Sequence, residues 1–229
     1  MQPISFKRHR FHPDIIRHAV WLYYRFTLSL RDVEDLLAER GIDVTYETIH
    51  KFGPTIAANI RKHRRPADCV WHLDEMVVKI GGKRMFMWRA VDKEGEVLDV
   101  LVQKRRNKAA ALKLLRKLLK NQGFVPESII PDGLASYKAA LRDLGALKRH
   151  QPGRLQENNR AENSHLHVRR RERKMQLFKS QGHAQRFVST YSAIYNCFNT
   201  ERHLISRKTI RTYRDRAFAE WQAASAAAA

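Results

Sequence analysis

Three carboxylates, Asp74, Asp132 and Glu162, stand where they can act together. Asp74 interrupts the apolar stretch Trp71-His72-Leu73-Asp74-Glu75-Met76-Val77-Val78. A charge among such neighbours is costly to bury unless it is paired or bound to a cation. Asp132 ends the short strand Pro126-Glu127-Ser128-Ile129-Ile130-Pro131-Asp132, and ligand chemistry collects at the carboxyl end of strands in parallel sheets. Glu162 falls early in a helical stretch that starts near Asn158. Singly, each has an ordinary explanation: an Asp bridged to an arginine, a turn Asp, a Glu favoured by the helix dipole. Jointly, three converging carboxylates repel one another, and a divalent ion that prefers hard oxygen ligands relieves the repulsion. Mg²⁺ (or Mn²⁺), as two ions, suits such a site and would serve in-line displacement at a phosphodiester. Glu75, Asp92 and Glu157 are rival acids, and Glu157 is the most serious because it lies so close to Glu162.

The charge balance points to the substrate class. Lys and Arg number 44 against 23 Asp and Glu, a formal net charge of +21, which is typical of proteins that sit on nucleic acid. Past Glu162 the chain reads Val168-Arg169-Arg170-Arg171-Glu172-Arg173-Lys174, so Arg169, Arg170, Arg173 and Lys174 are candidates to hold DNA phosphates beside the acids. His165 and His167 stand two apart on that helix and face different sides, which argues against a shared zinc. The composition, 43% hydrophobic and 29% charged over 229 residues, is that of a globular chain. No run approaches the ~20 apolar residues of a membrane span. The two cysteines, Cys69 and Cys197, and an N-terminus without an apolar secretory core fit a cytoplasmic protein.

The elements that must position these residues follow from periodicity. Residues 11–54 read as three short helices. Pro13 opens the first, whose apolar stripe is Ile15, Ile16, Ala19, Val20, Tyr23 and Tyr24. Ser29 and Asp32 form a capping box for the second, which Gly41 stops. Thr45 caps a third that ends near Phe52, before Gly53-Pro54. This is a helix-turn-helix pattern, and its second helix would present Tyr46, Glu47, Thr48, His50 and Lys51 to DNA; a plain three-helix bundle shows the same stripe. Residues 55–69 read as a basic linker.

Beyond the linker the period shortens to that of strands. Val70–Ile80, Arg84–Asp92 and Glu96–Lys104 form a three-stranded meander, followed by a helix over Asn107–Asn121, a strand ending at Asp132, a helix over Ser136–Leu144, a fifth short strand over Ala146–Gln151 and a long helix. That order predicts an α/β fold, a ribonuclease H-like (retroviral integrase-like) catalytic domain with a mixed five-stranded sheet over 70–180, preceded by the small all-α module. A helical extension spans 181–222, and the alanine-rich tail, 223–229, is expected to be disordered.

The chain resembles the DDE transposases of bacterial insertion sequences, specifically the insertion-sequence-six family. The resemblance runs from about Arg8 to Trp221 and is strongest in Trp71-His72-Leu73-Asp74-Glu75 through Trp88-Arg89-Ala90-Val91-Asp92 and in Asn158-Asn159-Arg160-Ala161-Glu162-Asn163-Ser164-His165 through Met175. It implies that Asp74, Asp132 and Glu162 are the metal-binding triad. It also implies cleavage at insertion-sequence ends, transfer of the 3′-hydroxyl into target DNA with cointegrate formation, recognition of terminal inverted repeats by the helix-turn-helix, and a homodimer or higher oligomer in the bacterial cytoplasm, nucleoid-associated when bound to DNA. The alternative is a catalytically impaired DNA-binding protein, an end-binding repressor or decayed transposase copy.

Overall fold

Helices α1 (Pro13–Arg25), α2 (Leu30–Ala38) and α3 (Tyr46–His63) open the chain. In α1, Ile16, Ala19, Val20, Tyr23 and Tyr24 are buried, as the stripe requires. The capping box of α2 is complete: Asp32 N–H donates to Ser29 Oγ (3.1 Å) and Ser29 N–H to Asp32 Oδ2 (2.8 Å). Gly41 sits at φ +73°, a left-handed conformation that suits a residue without Cβ.

The third helix differs from expectation. It does not stop near Phe52 but runs through Gly53-Pro54 for 18 residues and absorbs much of the expected linker. Ile49, Phe52, Gly53, Ile56, Ala57 and Ile60 form one buried face, so tertiary burial outweighs the hydrogen bond that Pro54 forfeits. Gly53 helps twice. Without a Cβ it tolerates helical backbone before a proline, and it admits Tyr24, whose Cε2 would lie 2.6 Å from a Cβ there. Thr45 occupies the N-cap without a side-chain bond; Glu34 Oε1 accepts from Tyr46 N–H at 2.7 Å in its stead.

The computed structural model describes residues 3–151, 159–199 and 205–227, and it divides into two units, 1–64 with 190–229, and 65–189. In the first unit, α8 (Arg207–Ala224) and the end of α7 (Gln181–Phe198) join α1 to α3. Trp21, Phe198 and Phe218 form an aromatic cluster with centroids 5.5–6.4 Å apart. Part of the alanine-rich end packs on this unit. Ser225 is buried and donates to Trp221 O at 2.6 Å, and Ile4 N–H donates to Ala226 O at 2.8 Å.

The second unit holds a mixed sheet of four strands, β1 (Val70–Ile80), β2 (Lys83–Asp92), β3 (Val97–Gln103) and β4 (Ser128–Pro131), in the order β3-β2-β1-β4. β1 pairs antiparallel with β2 and parallel with β4, so the strand carrying Asp74 is central. The expected fifth strand is reduced to a 3₁₀ turn at Leu147–Arg149 and one parallel bridge between His150 and Ile129, because basic, exposed residues there have no apolar face to bury.

Both faces of this sheet are covered. On one, Trp71, Leu73, Trp88 and Ala90 pack with Leu114, Leu115 and Leu118 of α4 (Lys108–Gln122) and with Tyr137, Ala140 and Leu141 of α5 (Ala135–Asp143). Each fully buried leucine is worth roughly 1.5–3 kcal/mol. On the other, α6 (Asn159–Lys174) packs on β1 and β2. The edge strand β3 is sealed by glutamines of α7: Gln185 accepts from Val102 N–H and donates to Val100 O, and Gln181 donates to Val102 O, all at 2.8–2.9 Å. No helix of the described residues is long and apolar enough to cross a membrane.

Candidate active site

β4 ends at Pro131, which pairs with Leu73. From Asp74 onward, the β4 side of β1 therefore lies beyond the parallel ladder, and Asp132 emerges beside it. Asp74, Glu75 and Asp132 each place a carboxylate oxygen within 4.8 Å of the others. Successive strand residues point to opposite faces, yet both Asp74 and Glu75 reach this cluster.

Each acid is held differently. Asp74 is buried, accepts from Glu75 N–H at 2.8 Å and has His165 Nε2 of α6 at 3.1 Å from its Oδ2. Burial holds the His165 imidazole below its ordinary pKa, with Arg89 acting in the same sense against the carboxylate. Arg89 itself is fully buried and sits opposite Asp74 in the β1–β2 register. Asp132 accepts from Leu134 N–H at 3.1 Å through Oδ1, an Asx turn that Gly133 completes at φ +85°.

Glu75 lies under the Tyr137 hydroxyl, which donates to it at 3.3 Å, and it is ion-paired with Arg106 of the β3–α4 connection. The same guanidinium reaches Asp132 Oδ2 at 3.4 Å. Burial and the neighbouring Asp132 carboxylate push Glu75 up to about 7, against the pull of Arg106. Burial likewise raises Asp132, and burial beside these acids drives the Tyr137 phenol well above its ordinary value. Like-charged carboxyls crowded at partial burial are a standing demand for cations. Arg106 meets it in part, and a hard divalent ion fits the all-oxygen donor set.

The structure thus brings together two of the three expected acids, Asp74 and Asp132. Glu162 lies on α6, three residues before His165, and its side chain falls outside what is described. Glu157 lies outside the described residues altogether, and Asp92 accepts instead from the Glu94 and Glu96 N–H groups of the β2–β3 turn. Glu75, a rival acid by sequence, stands in the cluster beside Asp74 and Asp132, and Arg106, which sequence spacing does not single out, joins it there. The basic pair Arg105-Arg106, just past the third strand, is the available signal.

Among the basic candidates of α6, Arg170, Arg173 and Lys174 are exposed, while Arg169 pairs with Glu172 at 3.6 Å. Arg171 points inward, 5.6 Å from the centroid of Phe187. His167 is pushed down to about 4 by burial and by Arg89 and Arg170. In the other unit, Tyr46, His50 and Lys51 are exposed near the start of α3 and Thr48 is half-buried. Tyr46 meets His50 edge-on at 5.9 Å, and Lys51 Nζ lies 2.9 Å from His9 Nε2.

The family described as DDE domain matches residues 68–201. The transposase for insertion sequence-like element IS431mec of Staphylococcus aureus (strain Mu50 / ATCC 700699) is 29% identical over 198 residues, covering 83% of this chain and 88% of its own length. The transposase for insertion sequence element IS257 in transposon Tn4003, also from Staphylococcus aureus, is 28% identical over the same extent. A chain in the cryo-EM structure of the simian T-cell lymphotropic virus intasome in complex with PP2A regulatory subunit B56 gamma superposes with a TM-score of 0.46 at 15% identity, covering 61% of this chain and 53% of that one. With the DDE domain spanning more than half of its residues and transposases aligned along most of its length, the chain belongs to the DDE transposases of the insertion-sequence-six family.

Proposed function

We propose that this protein catalyses DNA transposition: it cuts strands at the ends of its insertion sequence and joins the freed 3′-hydroxyl to target DNA, with cointegrates as the outcome. The observation that carries this reading is the convergence of Asp74, Glu75 and Asp132 oxygens within 4.8 Å, in the unit that also bears the basic helix α6. On this reading the four-stranded sheet and its helices are a ribonuclease H-like core, and Asp74, Asp132 and Glu162 hold two Mg²⁺ or Mn²⁺ ions. Ions held there would supply Lewis-acid activation of an attacking oxygen and charge stabilisation of a leaving one in an in-line displacement.

The remaining work falls to side chains. His165 fixes the orientation of Asp74, and Arg106 with Tyr137 holds Glu75 beside Asp132. Arg169, Arg170, Arg173 and Lys174 hold the phosphates of the reacting strand. Tyr46, Thr48, His50 and Lys51 contact the terminal inverted repeats from a helix-turn-helix made by α2 and α3. Paired ends require a homodimer or larger assembly, acting in the cytoplasm where the DNA lies. The gathered acids favour turnover over an impaired end-binding protein, since such a protein has no use for crowded carboxylates that lower its own stability.

The test is a duplex carrying the element's ends, incubated with Mn²⁺ and each of Asp74→Asn, Asp132→Asn and Glu162→Gln. Loss of nicking and strand transfer by more than 10²-fold with DNA binding retained is expected for all three. A variant that keeps its activity removes that residue from the triad, and binding without nicking by the unsubstituted protein supports the impaired alternative.

A further inference from the structure

We propose that the tip of the β1–β2 hairpin, together with the turn that leaves α6, is a second platform for the phosphates of duplex DNA, continuous with the acid cluster. The inference rests on the nucleic-acid reading above and adds four residues to it: Lys79, Lys83, Arg84 and Lys179. All four are exposed. Lys79 pairs with Arg84 and Ile80 with Lys83 across the ladder, so three of the cations crowd one end of the hairpin. Ile80 bridges Phe178, which brings Lys179 to the same end. The stretches 76–91 and 173–180 contain no Asp or Glu, so nothing in them neutralises this charge.

The placement is directional. Strand alternation sets Glu75, Val77 and Lys79 on one face of β1, with Trp88, Phe86 and Arg84 opposite them on β2. Val77 is exposed and the Arg84 guanidinium lies 5.4 Å from the Phe86 ring centroid, so an open track leads from the acids to the tip. Four strand residues span about 13 Å, which is about four base-pair rises of ~3.4 Å. A duplex whose reacting phosphate sits at the acids therefore presents phosphates to Lys79 and Arg84 about four base pairs away.

The platform is also pre-shaped. Gly81 and Gly82 take φ +54° and +76°, as a two-residue hairpin turn requires. Gly81 N–H donates to Phe178 O at 2.9 Å, and a Cβ on Gly81 would meet Lys179 O at 3.0 Å. The Lys79 backbone lies close enough to the buried Glu172 carboxyl to favour its charged form, which sets the end of α6 against the same strand. Gln176 and Leu177 hold positive φ, +55° and +72°, a strained reversal that delivers Phe178 to its buried seat and Lys179 to the surface. A backbone fixed in this way holds the roots of the four cations in place, so only their side chains are ordered on meeting a phosphate backbone.

The experiment measures affinity for a duplex as a function of salt, with chelator present so that no strand is cut. Two variants of the full chain lose equal charge: Lys79→Gln with Lys83→Gln, Arg84→Gln and Lys179→Gln, and, as control, Lys113→Gln with Arg116→Gln, Lys120→Gln and Lys148→Gln. The hairpin variant is expected to bind at least tenfold more weakly at about 0.1 M salt and to lose about 2 to 4 from the slope of log affinity against log salt, the control almost nothing. Lys83→Glu with Arg84→Glu, both at the turn, is expected to show the same change by charge reversal. Equal losses in the two charge-matched variants, or an unaltered slope in the hairpin variant, overturn the platform while leaving the transposase reading intact. Failure of the unsubstituted protein to bind any duplex overturns both.

Discussion

His165 Nε2 lies 3.1 Å from Asp74 Oδ2, which fastens helix α6 to the central strand at the first acid of the site. Outer partners of this kind orient a ligand rather than bind the ion, and their removal commonly costs 10- to 100-fold in metal affinity. His165→Ala is therefore expected to weaken Mn²⁺ binding by roughly that factor while the protein stays folded. Calorimetric titration with Mn²⁺ measures it, and unchanged affinity would show that Asp74 needs no such support.

Arg106 does the opposite work, as an internal cation on Glu75 and Asp132. Arg106→Gln leaves the two carboxyls facing each other, so the metal-free protein is expected to lose about 1–2 kcal/mol at pH 8 and to recover it when Mn²⁺ is added. Because a guanidinium beside the acids repels a divalent ion, the variant should also bind Mn²⁺ more tightly. Denaturant melts with and without the ion check both; a variant equally stable and of equal affinity would reduce Arg106 to a surface residue.

The raised Glu75 carboxyl makes a signed prediction about pH. Its pKa rises from 4.5 to about 7 on folding, so between those values the folded state binds more protons than the unfolded one and stability falls as pH rises. Without metal the protein should thus be more stable at pH 5 than at pH 8 through this group, on the order of 1 kcal/mol once solvent screening is allowed for. Glu75→Gln should flatten that part of the profile. Melting temperatures at the two pH values for both proteins decide it, and parallel profiles would count against a perturbed Glu75.

Pro54 is the reason the third helix looks short in sequence, and it is expected to cost stability where it stands. Pro54→Ala restores a helical hydrogen bond in an exposed position and is expected to stabilise the first unit by roughly 1–2 kcal/mol after the loss of chain stiffness in the unfolded state. Thermal melting reads this directly. A destabilised variant would mean that the proline shapes α3 in a way the burial of Ile49, Phe52, Ile56 and Ala57 does not explain.

Much of this protein was legible from residue order. The capping box at Ser29 and Asp32, the stripe of α1, the meander and the helix over Leu114, Leu115 and Leu118 are local matters of spacing, and the structure shows them where spacing puts them. The helix through Gly53-Pro54 and the burial of Ser225 were not legible. Both break local rules and persist only because distant side chains, Tyr24 and Asn59 among them, pack against or bond to them; Asn59 Nδ2 donates to Ala224 O at 2.9 Å.

The site divides in the same way. The identity of Asp74 and Asp132 as acids in costly places follows from their neighbours in the chain, because burial of a charge is penalised whatever the fold. That Glu75 joins them, that Arg106 spans Glu75 and Asp132, and that His165 touches Asp74 depend on where β4 stops beside β1 and on which face of the sheet α6 covers. Composition and spacing carry one-dimensional information about each residue's own cost. Which charges meet is set by the ends of strands and the packing of helices, and those are decided by contacts between segments far apart in the chain.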